Sequence, residues 1–226
     1  MLPDATRFYI AGQWVAPHGL ERKLVVDPAT TLAVGDVAMG DEVDANLAVE
    51  AAHAAFPAWS RTSVADRLTI LERIVTALVA RNDEMAEAIT AEMGAPRGLS
   101  RSAQAPLGRQ HFEEIVRVLQ TYPFETRLGS ARVRREPVGV CALITPWNWP
   151  LNQIASKVAP ALAAGCTMVL KPSELAPLSA TLFAAILHEA GVRSPQATRT
   201  LTRIDPNTHH TGKFIVTDHR VTDDES

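Results

Sequence analysis

Apolar residues return with two different periods along this chain, and the change of period divides it. From Asp41 to Leu119 they recur every three or four positions, the spacing that lines one face of an α-helix. A first helix is predicted from Asp41 to Trp59, with Asp41 as N-cap, Val43, Leu47, Ala51, Ala54 and Ala55 as its apolar stripe, and Pro57 closing it. Ser63 opens a second, where Ser-x-x-Asp66 is an imperfect capping box and the stripe is Leu68, Leu71, Ile74, Val75, Leu78 and Val79. Asn82 is set to cap a third, ended by Gly94. A fourth is predicted between about Ala105 and Leu119, broken from its predecessor by Pro96 and Gly98.

On either side of this stretch the pattern is that of strands. Phe8 to Val15 predicts a hairpin turning at a glycine, and Lys23 to Val26 a short strand ended by Asp27-Pro28. Arg132 to Glu136 and Val138 to Ile144 predict two strands separated by Pro137. The second is continuously apolar, as a strand buried on both faces should be. Pro150 opens a helix that runs to about Ala164, with Gly165 at its C′ position. Cys166 to Leu170 is a second buried strand, and Pro177 opens a helix ending at Gly191. Strand–helix–strand–helix makes a βαβα unit, so the fold class is α/β, with an incomplete doubly wound parallel sheet. From Arg193 the apolar positions thin out among Thr, Asp, Arg and His. Residues 1–192 are thus predicted as the folded domain and 193–226 as a poorly ordered tail.

Composition narrows the function. The 226 residues carry a net charge of −3 and no Lys/Arg-rich run, which speaks against nucleic acid and acidic membrane surfaces. The start, Met1-Leu-Pro-Asp, is not a secretory signal, and the apolar stretch from Val158 to Leu170 is interrupted by Gly165 and Thr167 and too short for a bilayer. Two cysteines at unrelated spacing fit a reducing compartment, so a cytoplasmic location is expected. Both lie on predicted buried strands and read as small apolar residues. No metal site is predicted: His209, His210 and His219 lack supporting carboxylates or cysteines. Gly35 to Gly40 precedes no phosphate-binding context.

Two segments carry chemistry: Ala142-Leu-Ile-Thr-Pro-Trp-Asn-Trp-Pro-Leu151 and Lys171-Pro-Ser-Glu174. Asn148 is a neutral amide donor just past a strand end, where open α/β sheets place their ligands. An asparagine before a proline-led helix is otherwise a cap or a turn residue. Lys171 and Glu174 leave a buried strand together, though a surface pair at i, i+3 has the same spacing. Lys157 lies on an apolar helix, as a functional cation or as a side chain reaching for solvent.

Together these segments resemble the aldehyde dehydrogenase superfamily. The resemblance covers about Phe8 to Val192 and implies the fold of that family's N-terminal cofactor domain. It implies an N-terminal β-hairpin, a helical layer and, at 123–137, part of an oligomerisation hairpin. By resemblance, Asn148 is the oxyanion donor and Lys157 stands near it and the general base. Ile144, Thr145, Trp147, Lys171, Ser173 and Glu174 face NAD or NADP, the last group gripping the ribose; for Trp147 core packing can coexist with lining. A carboxylate there favours NAD, because it repels a 2′-phosphate. The family activity is NAD(P)-dependent oxidation of an aldehyde to a carboxylic acid through a cysteine thiohemiacetal and thioester. Its nucleophile belongs in a Gly-Gln-x-Cys context that neither Cys141 nor Cys166 shows. The pyrophosphate-binding glycine turn and the general-base glutamate find no match either. The expectation is a chain truncated within the cofactor domain and inactive alone. The alternatives are a non-catalytic partner of an intact paralogue, or one half of an enzyme completed by a separate chain. Uncovered sheet edges predict homo- or hetero-association.

Overall fold

A computed structural model describes residues 2–192; the predicted tail at 193–226 lies outside them. Two antiparallel pairs come first: β1 (Phe8–Ile10) with β2 (Gln13–Val15), and β3 (Arg22–Val26) with β4 (Ala33–Ala38). Strand β4 escaped the sequence reading because Gly35 and Asp36 interrupt its apolar positions. Three long helices follow, α1 (Glu42–Trp59), α2 (Val64–Ala80) and α3 (Asn82–Met93). Asp41 caps α1, and Ser63 with Asp66 completes the capping box of α2. Asn82 is the first residue of α3 and does not cap it, while Gly94 ends the helix at φ +75°.

Helix α1 corrects two expectations. Pro57 lies inside it, since a proline in the last turn of a helix only disturbs carbonyls near the end. Its buried stripe is Asp44, Ala48, Ala52, Ala55 and Trp59, whereas Val43 and Leu47 are exposed. Small alanines let the helix lie close against a sheet. Asp44 is buried because it accepts the backbone N–H groups of His18, Gly19 and Asp41.

Pro96 does stand in the break after α3, as N-cap of the next helix, but Gly98 lies inside that helix. The chain turns helical again at α4 (Arg97–Leu99), widens into a π-helical segment at Ser100–Gln104 and continues as α5 (Ala105–Leu119). Strands β5 (Glu125–Leu128) and β6 (Ala131–Arg134) form an antiparallel hairpin inside the predicted 123–137 segment.

The parallel unit is β7 (Val140–Ile144), α6 (Pro150–Ala164), β8 (Thr167–Lys171) and α7 (Pro177–Glu189). Strand β8 is buried, and its alternate residues face opposite ways. Val169 packs with Ala48 and Ala52 of α1. Met168 and Leu170 join the larger core with Phe112 of α5 and Phe183 of α7, whose rings stand 5.9 Å apart. Strand β7 does not match the fully buried strand predicted from it. Ala142 and Ile144 are exposed, because among the described residues β7 pairs only with β8.

Two close fits hold this unit. Gly108 of α5 faces Leu151 of α6 so closely that a Cβ there would sit 2.3 Å from Leu151 Cγ. Glu92 of α3 is buried and accepts the N–H groups of Leu178 and Ser179, at 2.5 and 3.1 Å. It thereby caps α7, whose own N-cap residue, Ala176, offers no side-chain acceptor. Burial pushes the Glu92 carboxyl up to about 7 despite those two donors.

We expect Gly108→Ala to lower stability by about 1–3 kcal/mol through overpacking, seen as a drop of several degrees in the thermal midpoint. An unchanged midpoint would mean that α5 and α6 separate at no cost. For Glu92 the raised folded-state value means its contribution is full below the unfolded value of 4.5 and is lost as pH rises through about 7. Denaturation of wild type and Glu92→Gln side by side should show the wild type losing up to about 3 kcal/mol relative to the variant between pH 4.5 and 7.5. Parallel curves would refute the assignment.

Candidate functional site

The site lies at the C-terminal ends of β7 and β8. Parallel register sets Ile144 opposite Lys171, and the Thr145 N–H extends the ladder to the Lys171 carbonyl at 3.1 Å. The residues leaving both strands therefore emerge side by side, at the edge where open α/β sheets bind ligands.

After β7 the chain must reverse into α6. Trp149 makes the reversal in the left-handed region at φ 56°, and Pro150 occupies the first helical position, where no N–H is needed. The N-cap of α6 has no side-chain hydrogen bond, so Asn148 does not cap the helix. Its amide stands exposed at the turn. Ile144 and Trp147 beside it are about half exposed, at 58% and 49%, a large apolar area at the edge of a sheet. Thr145 is buried, and its hydroxyl finds no partner.

The residues after β8 form a tight turn. The Ser173 hydroxyl accepts the Leu175 N–H at 3.2 Å, and the Ser173 carbonyl accepts the Ala176 N–H at 3.2 Å. This turn returns Glu174 to Lys171, with Nζ and Oε2 3.4 Å apart. A second ammonium, Lys23 of β3, lies 3.9 Å from Oε1 of the same carboxylate. Burial raises the Glu174 carboxyl, but its own backbone N–H and the two lysines outweigh it and hold the group below the ordinary carboxylate value. The result is a half-buried anion between two cations at the sheet edge. Lys23 had no local sequence signal, since the contact depends on β3 lying beside the turn.

Lys157 is not joined to this group. It lies farther along α6, half-buried, and donates to the Gln153 carbonyl at 3.2 Å and to Gln153 Oε1 at 3.5 Å. Neither of the chain's two cysteines reaches the site. Cys141 lies near the start of β7, about 10 Å from Ile144 at the usual rise of a strand, and Cys166 precedes β8. Both are free thiols, Cys141 partly buried against the larger core and Cys166 buried. Among the described residues no group of three or more potential ligands could hold a metal ion, and the three histidines weighed in the sequence lie outside those residues. No helix among them is long and apolar enough to cross a membrane.

Residues 14–222 match the profile of the aldehyde dehydrogenase family. The chain belongs to that family. It is 57% identical over 190 residues to 3-succinoylsemialdehyde-pyridine dehydrogenase of a Pseudomonas species, covering 84% of this chain and 40% of that protein. Among solved structures, aldehyde dehydrogenase C of Pseudomonas syringae, a mutant complexed with NAD+ and octanal, superposes with a TM-score of 0.87. The two are 48% identical, over 89% of this chain and 41% of that one. A betaine aldehyde dehydrogenase of Staphylococcus aureus, bound to NAD+, gives 0.83 at 28% identity, over 89% of this chain and 42% of that one. The chain thus spans about 40% of the length of these aldehyde dehydrogenases. The α/β fold with its short sheets is that of their N-terminal domain.

Proposed function

We propose that this chain forms the oxyanion and cofactor-ribose portion of a site that oxidises an aldehyde with NAD or NADP. The observation that carries the reading is the convergence of Asn148 with the Lys171–Glu174 pair at one end of one parallel strand pair. Because Asn148 does not cap α6, its amide is available to donate to a carbonyl oxygen as negative charge develops there. The donor has no proton to lose at neutral pH and keeps that role across the physiological range.

The residues fit a dinucleotide. Lys171 offers donors and Glu174 acceptors, the pair a ribose diol requires. The unpartnered Thr145 hydroxyl adds a polar contact, and exposed Ile144 and Trp147 suit flat ring surfaces. Bound there, the cofactor supplies the hydride acceptor. An ionised Glu174 disfavours a 2′-phosphate, so NAD is the better match. The complex of the Pseudomonas syringae relative with NAD+ supports the assignment by family. Lys157, engaged with Gln153, would assist only after leaving that contact. With both cysteines at the far end of the strands, this chain alone lacks a thiol for attack on the aldehyde.

Purified chain, incubated with NAD or NADP and a panel of aldehydes, should therefore give no reduced cofactor. Turnover that Asn148→Ala leaves intact would overturn both the assignment and the inactivity. Calorimetric titration should show NAD binding in the millimolar range, about 4 kcal/mol, weakened several-fold by Lys171→Met and by Glu174→Gln. Binding unaffected by either substitution would remove the ribose site from these residues.

A further inference from the structure

The turn that carries Glu174 is approached by an element outside the parallel unit. In the β3–β4 ribbon the register sets Lys23 opposite Val37 and Val25 opposite Gly35, so these four residues share one face. Val25 and Val37 are buried, which makes that face the inward one. Leu24 and its partner Asp36 stand exposed on the outer face. The ribbon rests on the start of α7, where a Cβ at Gly35 would meet Leu178 Cδ2 at 3.8 Å. Lys23 is thereby aimed across the rim of the ribbon at the turn between β8 and α7.

The two ammonium groups beside Glu174 are committed to it to different degrees. Lys171 hydrogen-bonds to Oε2 at 3.4 Å. Lys23 stands 3.9 Å from Oε1, beyond hydrogen-bond reach, so the contact is one of charge only and spends none of the lysine's donors. The side chains of Lys171, Glu174 and Lys23 are 19%, 32% and 47% exposed, so Lys23 is the outermost of the three. Two lysines and one glutamate also leave one positive charge in excess at this edge. A carboxylate matched by Lys171 alone would repel an added phosphate. With the second ammonium the local balance is attractive.

We propose that Lys23 is the residue through which this site admits NADP as well as NAD, its ammonium taking the 2′-phosphate. The inference rests on the ribose assignment made above. With NAD, Glu174 accepts from the free 2′-hydroxyl, and Lys23 balances its charge from a distance. With NADP, the 2′-phosphate brings between one and two negative charges at neutral pH. Lys171 keeps its hold on Glu174, and the uncommitted donors of Lys23 turn to the phosphate oxygens. A lysine suits this task, because its flexible stem carries a compact charge that needs no fixed geometry. Glu174 still repels the phosphate, so Lys23 reduces the preference for NAD without reversing it.

The test compares two nucleotides that differ only at the 2′ position, adenosine 5′-monophosphate and adenosine 2′,5′-bisphosphate. Each is titrated into the full chain at low salt and followed by NMR. Lys23→Met should raise discrimination against the bisphosphate about fivefold, the upper range for an exposed ion pair. Lys23→Arg, which keeps the charge, should restore the wild-type ratio. In about 1 M salt, where charges are screened beyond roughly 3 Å, the difference between wild type and Lys23→Met should shrink. A purely structural role for Lys23 would alter both nucleotides alike and would not respond to salt in this way.

Lys171→Met separates the two levels of the argument, since it should weaken both nucleotides. If it weakens neither, the ribose assignment falls and the role of Lys23 falls with it. If it weakens both while Lys23→Met leaves their ratio unchanged, or Lys23→Arg fails to restore the ratio, the ribose site stands and the role given to Lys23 is overturned.

Discussion

Parallel pairing of β7 with β8 cannot be made by a hairpin, so the chain must cross over, and α6 is that crossover. The rest of the molecule follows from it. Two strands running the same way bring both C-terminal ends to one edge, so Thr145 bonds to Lys171 and the turns after each strand open together. Both N-terminal ends meet at the other edge. The five-residue length of the strands holds those two edges apart. The sheet itself is covered by α1 on one face and by the main helical core on the other.

Among the described residues three buried charged side chains support this arrangement, and each is held by backbone groups. Asp44 gathers the N–H groups of His18, Gly19 and Asp41, Glu92 those of Leu178 and Ser179, and Arg67 the carbonyls of Thr62 and Ala163. Each thus fastens a helix to a loop or helix end far away in sequence. Backbone groups at chain ends need partners wherever they are buried, and a long charged side chain supplies them at a distance.

What could be read in the sequence was what is decided locally. Helix α5 has the predicted bounds, Ala105 to Leu119, and the Ser63–Asp66 box, Pro150 and Gly165 mark helix ends as expected. The two site segments were legible because strand, turn and helix start are contiguous there. What failed depended on partners. The face that α1 buries was set by the sheet beneath it, which selected alanines over Val43 and Leu47. The exposure of Ile144 reflects how many strands flank β7, which apolar content does not encode. Glu92 looked like any helix glutamate, and its role needs α7, which begins 85 residues later at Pro177. Lys23 beside Glu174 is a contact of the same distant kind.

The contact between Gly108 and Leu151 also constrains how this chain can change over generations. Any side chain at 108 collides with the branch point of Leu151, not with a tip that can swing aside. A single replacement at 108 is therefore penalised while residue 151 keeps its branch, and shortening 151 first leaves a void between α5 and α6. Each single step goes downhill while the double step can be level, so the two positions are coupled epistatically. They are expected to be inherited as a pair, small opposite large, with the order reversible only by simultaneous exchange.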